Sequence, residues 1–144
     1  MLKGIDPLMS PELLHLLAAM GHGDELAVVD ANFPAMTMAK RLVRLGGVTS
    51  PRALAAVLSL LPLDDFVDAP VAVMQVVGDP TAIPGVVKEF HEVAAQAEGK
   101  PVNVERIDRF AFYDRARAAF AVVATGERRL YGCVLVKKGV IRPD

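Results

Sequence analysis

The chain has 144 residues, a formal net charge of −1 and a pI of about 6.3. This length predicts a single domain, 1–144, that can bury one sizeable core. The near-neutral charge argues against a partner such as nucleic acid or an anionic membrane, and no apolar run approaches the roughly 20 residues of a membrane-spanning helix.

Hydrophobic residues make up 53% of the chain, and the mean hydropathy is +0.36. Because the chain is short and unusually apolar, we expect its strands to be buried on both faces and further apolar surface to be buried between subunits. The amino-terminal segment has no apolar stretch typical of a signal peptide. The single cysteine excludes an intrachain disulfide and fits a reducing compartment. We therefore expect a cytoplasmic protein.

Helix and strand patterns alternate along the chain, which favours a layered α/β architecture. Ser10-Pro11-Glu12 is typical of a helix start, and Gly21 with Gly23 predicts its end. A second helix start follows at Ser50-Pro51. The predicted strands are 26–29, 41–45, 71–77, 102–107, 121–124 and 131–137, with a minor edge strand at 66–67. The other predicted helices are 53–61, 84–97 and 108–120, and we expect the last two main strands to form a closing pair.

His22 and Asp30 flank the first predicted strand. The imidazole, between two glycines, can exchange a proton near neutrality, although a surface histidine at a helix end would look the same. Asp30 follows an apolar strand, where a carboxylate can face a ligand crevice and accept hydrogen bonds from hydroxyl groups. An ordinary turn cap is the alternative for Asp30. Because the two are close in sequence, we expect them to share one small polar site.

Two further groups of residues could contact a ligand. Arg109 and Tyr113 are four positions apart on a predicted helix and so share a face, although a solvated arginine beside a half-buried aromatic ring explains them equally. Tyr131-Gly132-Cys133 opens the last strand, and the glycine permits close approach of a ligand or a backbone. The apolar run after Cys133 predicts a buried structural thiol rather than a nucleophile. No metal-site spacing, phosphate-binding loop or dinucleotide fingerprint occurs.

Together these segments resemble the L-fucose mutarotase family, which is related to the D-ribose pyranase family. The resemblance is carried by the opening MLKGIDPLMSPELLHLLAAMGHGDELAVVDANFPA, by RFAFY at 109–113, by AFAVVATGE at 119–127, and by Tyr131-Gly132 before VLVKKGV. It covers most of the chain, whereas 46–104 matches in pattern more than in letters.

The resemblance implies His22 as the general acid/base and Asp30, Arg109 and the 131–133 stretch as sugar-binding positions. The family usually has asparagine where this chain has Cys133, which leaves a backbone contact there. It also implies a three-layer α/β/α fold with a mostly buried central sheet. Ring-like homo-oligomers, often decamers, with sites near subunit contacts are implied as well, and no cofactor is implied.

Mutarotation interconverts the α and β anomers of a monosaccharide through ring opening and closure. Positioned proton transfer accelerates such a step by roughly 10²–10⁴-fold. We expect His22 to move the proton, with Asp30 and Arg109 on hydroxyls and Tyr113 and Tyr131 flanking the sugar. The alternatives are a pyranase that interconverts pyranose and furanose forms of ribose, and a sugar-binding subunit without turnover.

Overall fold

The computed structural model describes residues 1–144, which form a six-stranded sheet and five helices. The strands are β1 (Glu25–Val29), β2 (Leu42–Leu45), β3 (Val71–Met74), β4 (Val104–Ile107), β5 (Ala121–Thr125) and β6 (Val134–Lys137). The helices are α1 (Pro11–Ala19), α2 (Ala35–Met38), α3 (Ser50–Leu58), α4 (Gly85–Glu98) and α5 (Arg109–Ala118). None of the helices is both long and apolar enough to cross a membrane.

The strand order is β2-β5-β1-β6-β3-β4, and β6 alone runs antiparallel to its neighbours. The carboxyl ends of the five parallel strands therefore meet at one edge of the sheet, together with the amino end of β6. The opposite edge carries the amino ends of the parallel strands and the carboxyl end of β6. These two edges position the candidate functional residues.

Alternate residues of each central strand enter two separate cores, as the two-residue repeat of a strand requires. Leu26 and Val28 of β1 pack with α1, α3 and α4, whereas Ala27 and Val29 pack with α2 and α5. All four side chains are fully buried. The three-layer α/β/α architecture expected from the sequence is therefore confirmed.

Hydrogen bonds fix the start of α1 where the sequence predicts it. The Ser10 hydroxyl accepts from the Leu13 N–H at 3.2 Å, and Pro11 occupies the first turn. The helix ends at Ala19, one turn before Gly23, because Met20 is already extended. Gly23 instead supplies the positive φ, +86°, of the turn into β1.

Two expectations for the elements are wrong. Residues 66–67 form no strand, because Asp64 pairs its backbone with Lys137 and the following residues then bend away. The last two strands, β5 and β6, are not a pair, since β1 lies between them and hydrogen-bonds to both. The short helix α2, which begins directly after residue 34, was not predicted from the sequence. Each error concerns long-range pairing or a segment too short to show a periodic pattern.

Candidate functional site

The structure places His22 and Asp30 at opposite ends of β1. His22 lies in the turn before the strand, and Asp30 directly follows it. The five residues of β1 alone separate these ends by about 16 Å, at about 3.3 Å per residue. Within one chain, the two residues therefore do not meet in one pocket. The candidate residues form two separate clusters.

The first group, named here the His22 cluster, consists of His22, Asp64 and Phe66. The His22 Nε2 atom lies 3.0 Å from Asp64 Oδ1, and the centre of its ring lies 5.1 Å from that of Phe66. The His22 side chain is 44% exposed, whereas Asp64 is only 3% exposed. A buried carboxylate thus holds an imidazole whose other edge faces solvent.

Burial of the Asp64 carboxylate acts to raise its pKa, but its hydrogen bonds more than compensate. The Phe66 N–H donates to Asp64 Oδ1 at 3.1 Å, His22 contacts the same oxygen, and the charge of Lys137 adds to both. The net result is a pKa below the ordinary value for aspartate. Asp64 is therefore a carboxylate anion at neutral pH.

The second group, named here the carboxyl-edge cluster, consists of Asp30, Arg109, Tyr113, Tyr131, Gly132 and Cys133. Asp30 is 7% exposed and accepts from the Asn32 N–H at 3.0 Å. The Cys133 thiol donates to Asp30 Oδ2 at 3.3 Å and accepts from the Asp30 N–H at 3.4 Å. Burial, and then the negative Asp30, raise the pKa of the Cys133 thiol well above its usual value. The thiol stays protonated and buried, as expected, and it orients Asp30.

Tyr131 and Gly132 lie in the tight loop that enters β6. Tyr131 has a φ of +63°, which makes it the one non-glycine residue in the left-handed region. Its phenol oxygen accepts from the Val77 N–H at 3.0 Å, so its own O–H is free to donate. A Cβ on Gly132 would lie 2.6 Å from Glu127 Cγ. Position 132 therefore requires glycine for close packing.

Glu127 organises this loop from inside the protein. Its side chain is 2% exposed, and Oε1 accepts from both the N–H and the Nε of Arg129, each at 2.9 Å. Oε2 accepts from the Ser50 N–H at 3.3 Å, at the positive end of α3. The Arg129 guanidinium above all lowers the pKa of Glu127 to about 2. The loop that carries Tyr131 and Gly132 is thus fixed by a buried ionised carboxylate.

Arg109 and Tyr113 lie on α5, which begins where the sequence predicts. Asp108 Oδ1 accepts from the Phe110 and Ala111 N–H groups at 3.0 and 3.1 Å and caps the helix. The exposed Arg109 guanidinium lies 5.0 Å from the centre of the Phe110 ring and makes no hydrogen bond or ion pair within the chain. Tyr113 packs edge-on against Phe33, with ring centres 5.6 Å apart. Arg109 therefore keeps all its donors available for a ligand.

A shallow groove of about 280 Å³ joins Arg109 to the segment that Tyr131 contacts. The groove is lined by residues that follow β3 and by the first residues of α5: Gln75, Val76, Val77, Gly78, Pro80, Asp108, Arg109 and Phe110. The carboxyl-edge cluster thus brings together six of the seven candidate site residues. His22 alone lies apart from them.

Both edges of the sheet expose large apolar side chains. Beside the His22 cluster, Phe66 is 65% and Ile141 82% exposed. At the carboxyl edge, Val77, Phe110 and Leu130 are 63%, 66% and 68% exposed. Exposed apolar groups concentrated beside candidate polar sites are typical of surfaces that contact another protein.

Sequence reasoning missed three residues of these clusters. Phe66 lies in the expected edge strand 66–67 and Asp64 lies just before it, and only the fold brings the two residues to His22. Glu127 resembled a polar turn residue. The sequence shows only a glutamate two residues before an arginine. Such a pair is common on exposed turns, so it does not by itself indicate a buried carboxylate.

Comparison with known proteins places the chain in a family. Residues 3–141 match the model of the RbsD/FucU transport protein family. A relative from Actinobacillus pleuropneumoniae serotype 5b, named L-fucose mutarotase, is 46% identical over 140 residues, which cover 97% of each protein. A fucose mutarotase from Danio rerio is 47% identical over 151 aligned positions, with 99% of this chain and 96% of the relative covered.

The fold agrees with a solved member of the same group. The crystal structure of the fucose mutarotase from Streptococcus pneumoniae in complex with L-fucose superposes with a TM-score of 0.89 at 38% identity. The match covers 98% of this chain and all of that one. The family resemblance noted from the sequence is confirmed, and this chain belongs to the RbsD/FucU family.

Proposed function

We propose that this protein is a sugar mutarotase, an isomerase that interconverts the α and β anomers of an L-fucose-like monosaccharide. The observation that carries the proposal is similarity along nearly the whole chain, at 46% and 47% identity, to proteins named for this activity. An exposed imidazole held by a buried carboxylate supports it chemically.

Anomer interconversion requires two proton transfers in each direction. Ring opening needs a proton delivered to the ring oxygen and another removed from the anomeric hydroxyl; closure on the other face reverses both. His22 performs one of these transfers, and water or a second group performs the other. Because the sugar ring also opens spontaneously in water, the proposed mechanism needs no covalent intermediate, metal or cofactor.

The carboxyl-edge cluster supplies the chemistry for holding the sugar. Asp30 accepts hydrogen bonds from hydroxyls through its remaining lone pairs, and the unpaired Arg109 donates to hydroxyl oxygens. Tyr131 has a free O–H, and its ring and that of Tyr113 offer apolar faces to the C–H edge of the sugar. Gly132 and the backbone at Cys133 line the same edge.

The separation of the two clusters supports a site shared between protomers. Because His22 and Asp30 lie at opposite ends of β1, a sugar cannot contact both within one chain. A head-to-tail interface would place the His22 cluster of one copy against the carboxyl-edge cluster of the next, and such interfaces form a ring when the rotation between successive copies closes. The exposed apolar side chains at both edges support this contact. We therefore propose a ring-like homo-oligomer, such as the decamer implied by the family resemblance.

The compartment is proposed from the cysteine content. The one thiol is buried and forms no disulfide, which fits a reducing environment such as the cytoplasm.

Saturation-transfer NMR on a panel of reducing sugars tests the function. We expect the protein to accelerate exchange between the α and β anomers of L-fucose above the rate in buffer alone. Exchange restricted to the pyranose and furanose forms of D-ribose would favour the pyranase alternative. Binding of any sugar without accelerated exchange would contradict the isomerase proposal and leave a sugar-binding subunit.

A further inference from the structure

Asp64 uses a single oxygen to organise the whole His22 cluster. Oδ1 lies 3.0 Å from His22 Nε2 and accepts from the Phe66 N–H at 3.1 Å. The backbone of Asp64 is itself fixed, because its N–H donates to the Lys137 carbonyl at 3.0 Å. The carboxylate therefore sits at a defined point relative to β6, and both rings are positioned from it.

The charge of Asp64 decides which nitrogen of His22 carries the proton. An ionised carboxylate only accepts hydrogen bonds, so the nitrogen that faces it must be a donor. In the neutral imidazole the proton then lies on Nε2, and Nδ1 is the unprotonated acceptor. A base has to present such a lone pair to the proton that it removes.

No other charged group competes for the His22 ring. Asp24 accepts from the Gly21 N–H at 2.8 Å, and the Lys138 ammonium donates to the Leu17 and Met20 carbonyls. On the other side, Asp65 pairs with Arg142 at 2.7 Å. Lys137 acts on Asp64 and makes no hydrogen bond to the imidazole. Asp64 is thus the one ionised partner of His22.

We propose that Asp64 is the positioning residue of the reaction: it holds the proton of neutral His22 on Nε2, presents Nδ1 to the sugar, and fixes the exposed Phe66 ring beside it. This inference rests on the proposed role of His22 as acid/base. When Nδ1 takes a proton from the anomeric hydroxyl, the adjacent anion stabilises the resulting imidazolium, as a buried carboxylate behind a catalytic histidine does. The Phe66 ring, 65% exposed, then offers a face to the C–H side of the sugar.

The test is Asp64→Asn, which keeps the shape of the side chain and removes its charge. We expect kcat for anomer exchange to fall about 10- to 100-fold, since the base loses its orientation and its counter-charge. KM should change less than about threefold, because Asp64 does not touch the sugar. The ¹⁵N NMR signals of the His22 ring should change from a single Nε2–H tautomer to an exchanging mixture.

Asp65→Asn is the matched control, since it makes the same change one residue away on a carboxylate that pairs with Arg142 instead. It should leave both kcat and the ¹⁵N pattern of His22 unchanged. An Asp64→Asn protein with wild-type kcat would overturn the inference. So would an Nδ1–H tautomer in the wild-type spectrum, which tests the assignment even if the variant does not fold. Activity that survives in His22→Ala would instead refute the acid/base role of His22, whereas a wild-type protein that does not accelerate anomer exchange would refute the proposed function.

Discussion

Replacing His22 by alanine is expected to abolish catalysed anomer exchange of L-fucose, leaving only the rate seen in buffer. The imidazole is the one exposed group of the His22 cluster that can both take and give a proton near neutrality. Positioned proton transfer is worth roughly 10²–10⁴-fold, and a reaction that already proceeds in water needs little more. Saturation-transfer NMR measures the exchange directly.

A loss of activity in His22→Ala has to be separated from a loss of structure. His22→Gln keeps a hydrogen-bond donor for Asp64 but cannot act as a base, so it should be equally inactive and remain folded by circular dichroism. His15→Ala removes an exposed histidine of α1 and should behave like the wild type. Undiminished exchange in either His22 variant would contradict the assignment.

Glu127→Gln is expected to cause the largest loss of stability among conservative substitutions at the carboxyl edge. The carboxylate accepts from Arg129 and Ser50 while almost completely buried. In glutamine, an NH₂ group replaces one of the two carboxylate oxygens. Because both oxygens of Glu127 face N–H donors, that NH₂ group would face donors from which it cannot accept a hydrogen bond. We expect the free energy of unfolding at pH 7 to fall by about 2–3 kcal/mol, as measured in urea at fixed protein concentration.

The pH dependence of that loss follows from the lowered pKa. Folding moves the pKa of Glu127 from 4.5 to about 2, so the native state binds its proton less readily than the unfolded chain. The stabilisation is therefore complete above pH 4.5 and disappears as pH falls toward 2. The difference between wild type and Glu127→Gln should be constant from pH 6 to 8 and shrink below pH 4.5.

Glu89→Gln provides the comparison for Glu127. Glu89 also pairs with Arg129, but its side chain is 43% exposed. Its loss should cost less than about 1 kcal/mol, as is usual for solvent-exposed ion pairs. Equal losses in the two variants would show that burial of Glu127 is not what makes its contact with Arg129 strong.

Local signals in the sequence were sufficient for most of the elements. Ser10-Pro11 and Ser50-Pro51 predicted the starts of α1 and α3, because a side-chain cap and a proline act within one turn. The cap of α3 is nevertheless Thr49, one residue earlier than expected, since its hydroxyl accepts from the Arg52 N–H. The apolar run 26–29 predicted a central strand, which β1 is. Burial on both faces leaves a continuous apolar pattern that is visible without any partner strand.

Pairing between distant strands could not be obtained in the same way. The segments that became β5 and β6 looked like a hairpin because they are close in sequence, yet β1 lies between them. No residue pattern within 121–125 or 134–137 indicates that β1 lies between these two strands. This arrangement depends on how all six strands pack together in the sheet.

The same distinction between local and long-range information applies to the candidate site. Asp30, Arg109, Tyr131 and Cys133 were selected from the sequence one by one, and the structure places them at one edge because each lies within three residues of a strand end. Their role in binding a sugar stays a prediction. The partnership of His22 with Asp64 was not predicted, because 42 positions separate them in the chain. Sequence proximity also suggested a common pocket for His22 and Asp30, whereas an extended strand carries such neighbours apart.

Mixed oligomers test the shared site most directly. His22→Ala and Arg109→Ala protomers, each impaired alone, are co-expressed or refolded together and assayed for anomer exchange. If every site takes His22 from one copy and Arg109 from the next, random assembly restores about a quarter of the sites to wild type. We predict recovery close to that fraction. No recovery, in oligomers shown by mass spectrometry to contain both chains, would contradict a site formed between protomers.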